Sequence, residues 1–421
     1  MKTNKKKEPL LSPVLRWFMF AMVLAKSSAV MSSMLFALHL DNLGADVTQI
    51  GLVFTIISVV SLVLQVFGGW ISDSIGRLKA VAIGSIVGVI GSFAIIFAPN
   101  WQLFTIAIIL GEFPYTLIGP SFHAFIAENS KEENRGRVFG VSEMLLTVSN
   151  VLAPLIGGFL SRQFSFSLVF WAAAIIYSTA AMVRLWMLRT MKSAKVEEVK
   201  KLTGKSFGTS VRILITMILG GGIITWIFLT DGVRDAAFSL SRNLEILYLE
   251  EMIGFDTAQI GLLLSISSIP RLLMPLVAGK LGDKYGERVP ISAGFLMIFC
   301  AYALLLTSYN FIPFIIVWAF FGLGNGLLSP AYASLVSKVV PHDKLGIFNG
   351  MFYGAIGLIA LPAPFLGSLM WEKINPISPF MVAAVVSLLI IFPIWFKFKL
   401  PKKEEKGKSQ GEATAIAEAA E

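Results

Sequence analysis

The stretch Gly69-Trp70-Ile71-Ser72-Asp73-Ser74-Ile75-Gly76-Arg77-Leu78-Lys79 is a short polar loop between two long apolar runs. A second copy follows at Gly279-Lys280-Leu281-Gly282-Asp283-Lys284-Tyr285-Gly286-Glu287-Arg288. Asp73 and Asp283 are 210 residues apart, as are Gly69 and Gly279, and Gly76 and Gly286. A loop repeated at fixed spacing predicts a chain built from two related halves. The same offset pairs Gly44 with Gly254, Gln49-Ile50-Gly51 with Gln259-Ile260-Gly261, and Ser58 with Ser268. It also pairs Pro120 with Pro330, Gly136 with Gly346, Gly140 with Gly350, Pro154 with Pro364 and Gly157 with Gly367. Glycine and proline fix backbone geometry. Matches of these residues, with no gap from Gly44 to Gly157, therefore predict one fold used twice.

The 421 residues are 56% hydrophobic and only 14% charged, and mean hydropathy is +0.76. A soluble domain carries far more charge. The apolar residues come in blocks of about 20, the length that crosses a hydrocarbon core. An all-α membrane protein with twelve spans is expected: 14–40, 48–70, 80–98, 102–126, 137–160 and 167–188, then 221–249, 257–280, 289–308, 311–338, 346–371 and 378–397. The seventh is ambiguous. Hydropathy alone prefers 211–230, whereas the repeat prefers 221–249, with Thr209–Leu219 as an amphipathic lead-in; the repeat is followed. The expected organisation is a tail 1–13, a six-helix bundle 14–188, a charged linker 189–208, a second bundle 209–397 and a polar tail 398–421.

The net charge of +9 is carried in the loops, which fits the positive-inside rule rather than nucleic-acid binding. With the N-terminus inside, 29 of 35 lysines and arginines fall in cytoplasmic loops, tails or helix ends, and only Arg162 and Lys373 lie outside. That bias predicts cytoplasmic termini at a cell membrane. The first apolar block reads as a retained helix rather than a cleaved leader. The single cysteine, Cys300, excludes a disulfide or a thiolate metal site within one chain. No phosphate-binding Gly-Lys-Ser/Thr loop, His-Glu-x-x-His motif or nucleophile elbow occurs. ATP use, metal, cofactor and enzyme chemistry are therefore not expected.

Two six-helix halves, a central charged linker and the loop pattern G-x-x-x-D-x-x-G-R-x-K, present twice, resemble the major facilitator superfamily over nearly the whole chain. The resemblance implies a secondary transporter. It also implies a cytoplasmic gate formed by Gly69, Asp73, Gly76, Arg77 and Lys79 and by Gly279, Asp283, Gly286 and Arg288, with the Asp meeting the start of helix 11 near Gly346. Asp73 at a helix C-terminus and Arg77 and Lys79 at a helix N-terminus oppose the helix dipole, so local helix stability is not their purpose. The run Ser149 to Gly158 resembles the helix-5 pattern G-x-x-x-G-P-x-x-G-G of antiporters. Pro154, Gly157 and Gly158 are kept as a hinge, while Ser149 and Ala153 replace the leading glycines.

Ionisable side chains within the bilayer cost several kcal/mol and face the interior or a wet cavity. Lys26 falls in span 1, Glu112 in span 4, Glu143 in span 5, Asp231, Arg234 and Asp235 in span 7, and Arg271 in span 8. Spans 3, 6, 9 and 12 are expected to carry no interior charge. Lys26, Glu112, Glu143, Asn150, Arg234, Asp235 and Arg271 are the expected substrate and proton pathway, with Asn325 and Asn349 as further polar candidates. Glu112 is the first choice for a protonatable carboxylate, and Lys26 is expected to pair with Glu112 or Asp235 in at least one state. Glu143 either serves the pathway or pairs with Arg137. Arg271, after Pro270, either binds an anionic group or snorkels. Arg242 and Glu245 are expected near the outer rim, and His39 and His123 near span ends. The expected function is gradient-driven export of a small, partly apolar molecule in exchange for protons, by a monomer that needs only substrate, a coupling ion and a bilayer. An uptake symporter or exchanger for an organic anion remains open, as does a transporter-like receptor or scaffold.

Overall fold

The computed structural model describes residues 10–190, 216, 218, 220–340 and 345–399. Within them, each half contributes six helices. The first half contains α1 (Pro13–Ser33, resuming at Phe36–Asn42), α2 (Val47–Ile75), α3 (Arg77–Phe97), α4 (Trp101–Glu128), α5 (Arg135–Gln163) and α6 (Phe166–Thr190). The second contains α7 (Ile223–Arg242, continuing through Glu245–Leu247 and Tyr248–Met252), α8 (Thr257–Tyr285), α9 (Arg288–Thr307), α10 (Phe311–Val339), α11 (Leu345–Ala360, then Ala363–Lys373) and α12 (Ser378–Leu389, then Ile391–Lys397). Eleven of these have the length and apolarity of a membrane crossing. The exception is α7, which carries Asp231, Arg234, Asp235 and Arg242 in its first segment. It begins at Ile223, two residues beyond the start at 221 expected from the repeat; residues 211–215 of the alternative span lie outside the described residues. Residues 191–208 of the expected linker and all from Leu400 onward lie outside the described residues.

The repeat is visible in backbone detail. Gly44 and Gly254 have φ of 83° and 80°, and Gly76 and Gly286 have 92° and 86°. These left-handed values suit glycine alone, so each pair marks a turn made twice. Reciprocal caps are also duplicated. Asp46 and Gln49 exchange side-chain and backbone hydrogen bonds at the start of α2, and Asp256 and Gln259 do the same at α8. Both boxes satisfy amide donors that a helix start leaves open.

The outer faces of the helices are apolar and uncovered. Ile90, Ile106, Ile175 and Leu276 are all more than half exposed, with Leu276 at 73%. In a bilayer such faces meet lipid tails. In the second half a single buried apolar cluster runs from Ile227 to Phe398. In the first half the buried apolar residues fall into separate clusters, one around Phe36 and Phe104 and another around Phe18 and Phe125.

The halves meet chiefly along two helix pairs, α5 with α8 and α2 with α11, with a smaller contact between Phe36–Asn42 of α1 and Glu245–Leu247 of α7. Small residues set both main contacts. A side-chain carbon at Gly158 would lie 3.2 Å from the Gly261 Cα and against the Thr257 carbonyl. A side-chain carbon at Gly51 would lie 2.7 Å from the Pro364 carbonyl and against Ser368. Gly51 and Gly261 are repeat partners, as are Gly158 and Ser368, so one contact has been built twice. Polar links reinforce it. Ser265 Oγ donates to the Val151 carbonyl at 2.6 Å, and its repeat partner Thr55 Oγ1 accepts from the Phe365 amide at 3.1 Å. Arg162 pairs with Asp256 at 3.3 Å, and Glu372 accepts from the Thr48 amide at 2.9 Å. All these links lie in the half of the molecule remote from the Gly76 and Gly286 turns. They seal that far end, while the end bearing the repeated loops has no such cross-half link among the described residues.

Gly261→Leu should wedge the seal apart, since overpacking a tight contact costs about 1–3 kcal/mol. A cysteine placed by Ser161→Cys, whose native hydroxyl bonds Thr257, should then react faster with a membrane-impermeant thiol reagent. Unchanged reactivity would show that the contact does not hold the far end shut.

Candidate functional site

On the loop side of the seal lies a cavity of about 900 Å³ between the halves. Its wall carries Ser58, Ser61 and Gln65 from α2, Glu112 and Tyr115 from α4, Asp235, Ser239 and Arg242 from α7, and Tyr353 from α11, with Phe36, Phe54 and Ile57 between them. The wall is thus apolar with a few convergent polar groups, the make-up of a small-molecule site. Its fixed charges are two carboxylates and one guanidinium. Asp235 Oδ1 accepts from Arg242 Nη2 at 3.5 Å, which leaves Glu112 as the wall carboxylate with no basic side chain within 4.0 Å among the described residues.

Behind Glu112, inside the first bundle, lies a second cavity of about 230 Å³. Lys26 lines it, together with Glu112, Tyr115 and Tyr177. Lys26 and Glu112 feel each other's charge, and Glu143 also acts on Lys26. No carboxylate lies within 4.0 Å of the Lys26 ammonium among the described residues, so in this state the expected ion pair is not closed. Asp235, the other expected partner, is engaged by Arg242. Glu143 makes no ion pair with Arg137. Asn150 is half-buried on α5 and does not line either cavity.

In the second half, Arg234 Nη2 lies 2.6 Å from Asp231 Oδ1, one turn away, and the guanidinium sits 5.5 Å from the Tyr332 ring centroid. The pair is largely sequestered, with the Asp231 side chain 6% exposed. Arg271 interacts electrostatically with Glu245 and Arg242. Arg242 and Glu245 are therefore not rim residues: α7 breaks at Asn243 and Leu244, and Arg242 turns into the cavity. Asn325 Nδ2 is spent on the Phe321 carbonyl at 2.9 Å, and the side chains of Asn349 and His123 lie outside the described residues. His39 is wedged edge-on among Phe104, Phe166 and Phe170.

The expectation that spans 3, 6, 9 and 12 hold no interior charge is corrected by Arg184 on α6. It is 0% exposed. Its guanidinium donates to Ser85 Oγ at 3.0 Å, to the Ala21 carbonyl at 3.4 Å and towards Met22 Sδ at 3.1 Å. Tyr177 and Tyr115 stand beside it, and no carboxylate lies within 4.0 Å among the described residues. Its position near the end of a span makes it look like a snorkelling residue; the serine and glycines of α3, Gly84, Ser85 and Gly88, are the one hint of a polar interior there.

At the repeated loops, the side chains of Gly69 and Asp73 lie outside the described residues. Arg77 pairs with Glu128 at 3.6 Å, within the first half. Lys79, Gly279 and Asp283 are exposed, and Arg288 packs 4.9 Å from the Trp395 ring centroid, within the second half. The buried Glu287 binds Lys338 and accepts from Ser334 Oγ at 3.1 Å. Among the hinge residues, Gly157 lies against Met31 of α1, while the Pro154 carbonyl and Gly158 lie against Gly261 of α8.

Paired six-helix bundles closed at one end over a central cavity define a multi-pass membrane transporter. The Major Facilitator Superfamily model matches residues 17–241 and again 233–420, and the chain belongs to that family. Relatives include the multi-drug resistance efflux pump PmrA homolog of Lactococcus lactis, 24% identical over 82% of this chain and 88% of that protein. The bacillibactin exporter of Bacillus subtilis is 26% identical over 85% of this chain and 89% of its own length. Among solved structures, the nucleoside transporter NupG superposes with a TM-score of 0.74 at 14% identity, covering 92% of this chain and all of that one. A peptide transporter of the POT type gives 0.73 at 14%, covering 90% and 93%. Identities this low establish the shared fold.

Arg234→Leu should strand the sequestered Asp231 carboxylate, and breaking one side of a buried pair costs about 3–5 kcal/mol. Thermal unfolding in detergent should show a large loss for Arg234→Leu and recovery of most of it in Asp231→Asn/Arg234→Leu. A single variant that melts with the wild type would contradict a structural role for the pair.

Proposed function

We propose that this major facilitator transporter exports a small, partly apolar molecule in exchange for protons, with Glu112 as the carboxylate that takes up and releases the proton. The observation that carries this reading is the position of Glu112 on the wall of the central cavity, without a basic partner at bonding distance. A partly buried carboxylate in that setting is suited to a proton relay. The wall charge of two carboxylates against one guanidinium disfavours an anionic substrate, and the aromatic and aliphatic surface between them suits an apolar body with one or two polar groups. The names of the efflux-pump relatives point the same way.

The transport cycle we infer is a rocking of the two bundles about the cavity. The state described is sealed at the far end. In the converse state the loop end closes, and Asp73, Asp283 and their basic neighbours hold it. The excess of lysine and arginine at the loop end supports a reading in which that end, with both termini, faces the cytoplasm of a cell whose plasma membrane holds the protein. The cavity of this state then faces the cytoplasm, where an exporter loads.

In proteoliposomes containing a pH-sensitive dye, a panel of amphipathic compounds should include one whose movement is accompanied by opposite proton movement. Glu112→Gln should abolish the proton signal and pH-driven transport of that compound. Transport by the wild type without proton movement, or undiminished coupling in Glu112→Gln, would overturn the assignment. Proton movement in the same direction as an anionic compound would favour the symport reading.

A further inference from the structure

The second cavity, of about 230 Å³, lies inside the first half. Within the gap-free stretch of the repeat, its α3 and α4 wall is built of Gly88, Ser92 and Gly111, with Ser85 just beyond. At the matching positions in α9 and α10 stand Ile298, Tyr302, Phe321 and Phe295, all buried in a continuous apolar core. One copy of the fold is packed solid at this level and the other is hollow. The hollow also falls where the buried apolar residues of the first half divide into separate clusters.

The chamber's lining is mainly apolar, with a few polar groups set into it. Ser28, Ser32 and Ser92 donate their hydroxyl hydrogens to the carbonyls of Ala173, Ser28 and Gly88, at 2.7, 3.0 and 2.8 Å. Each hydroxyl oxygen keeps lone pairs to offer as an acceptor. Lys26 and Tyr115 supply donors, and Glu112 supplies a carboxylate. Tyr177 is 6% exposed and lies against Gly88, with Ser85 and Arg184 beside its hydroxyl. The Arg184 guanidinium stands next to it and leaves its own buried Nε without a partner. Buried polar atoms of this kind are normally satisfied by ordered water, each molecule taking about 30 Å³ and two to four hydrogen bonds.

We propose that this chamber is a hydrated proton compartment, adjoining the substrate cavity, through which Glu112 exchanges its proton. The inference rests on the proton-coupled reading above. Glu112 is the one carboxylate on both walls, so its proton arrives from the chamber side while the substrate occupies the other. A hydronium in the chamber gives its proton to the Glu112 carboxylate and becomes water, and the reverse step returns it. Tyr177 takes part in the chain by accepting a hydrogen bond at Oη while donating its own hydroxyl hydrogen. The charged and titratable groups around the chain are Lys26 on α1, Glu112 and Tyr115 on α4, Glu143 acting from α5, and Tyr177 and Arg184 on α6. From α3 the chamber is lined by Gly88, Ser92 and Ile95, with Ser85 just beyond.

The repeat supplies the test. A side-chain carbon at Gly111 meets nothing within 4 Å, so Gly111→Phe fills the chamber with the residue that the other half carries as Phe321. Tyr177→Phe removes only the hydroxyl. Hydroxyl-radical labelling with mass spectrometry on the purified protein should mark Tyr177 in the wild type and spare it in Gly111→Phe; an unmarked wild-type Tyr177 would refute a hydrated chamber, whatever the coupling ion. In proteoliposomes, both variants should lose proton-driven transport by at least tenfold yet keep substrate–substrate exchange near the wild-type rate. Wild-type proton coupling that survives in both variants would overturn the chamber alone. A labelled Tyr177 in a wild type that moves no protons would overturn the proton role of Glu112 and of the chamber together. Should Gly111→Phe fail to fold, Tyr177→Phe decides the transport arm.

Discussion

Backbone-to-backbone contact between the two halves is the constraint on which the rest of this structure depends. Gly158 against Gly261, and Gly51 against Ser368, bring helices of different bundles close enough for main-chain atoms to touch. Within a membrane no hydrophobic force draws helices together, so association relies on close packing and polar links. Both are present here, the second in the hydroxyls of Thr55 and Ser265. Because these contacts, among the described residues, lie in the far half of the molecule, the halves diverge towards the repeated loops, and the divergence is the cavity. A bulkier residue at either contact changes the geometry of everything between.

The repeat has conserved backbone geometry between its copies more faithfully than charge. Turn glycines, capping boxes and the small residues of the seal recur at the same offset. Arg162 and Glu372 do not, though both act across the halves at the far end. Nor do Arg77 with Glu128 and Glu287 with Lys338, which form the same ion pair with the signs exchanged. Two copies related by a near two-fold axis bring matching positions towards each other, and opposite charges there avoid the repulsion that identical ones would create. The interior differs as well: a solid apolar core in the second half faces a hollow one in the first.

Much of the fold is legible in the sequence because spacing carries it. The offset between Asp73 and Asp283 defines two halves, and it puts the start of α7 two residues from Ile223. The site is less legible, for reasons that can be named. Arg184 sits near a span end, and a linear count cannot tell an arginine that snorkels outward from one turned inward onto Ser85. Arg242 reads as a rim residue if α7 is taken as continuous, and the break at Asn243 is what aims it inward. The pairing of Asp235 with Arg242 rather than Lys26 depends on which bundle faces which in one state, and a sequence does not record a state. Glu112 lines the cavity, and its candidacy was open to sequence reasoning because depth along a span can be counted.

The central claim is that the seal and the cavity are the two ends of one lever. Double electron–electron resonance on spin labels placed in pairs across the halves, one pair at the far tips of α5 and α8 and one at the loop ends of α4 and α10, tests it directly. The account predicts that conditions which lengthen the far-end distance shorten the loop-end distance in step, whether the change is driven by substrate or by pH. Distances that move independently, or a far end that stays fixed while the loop end closes, would contradict it.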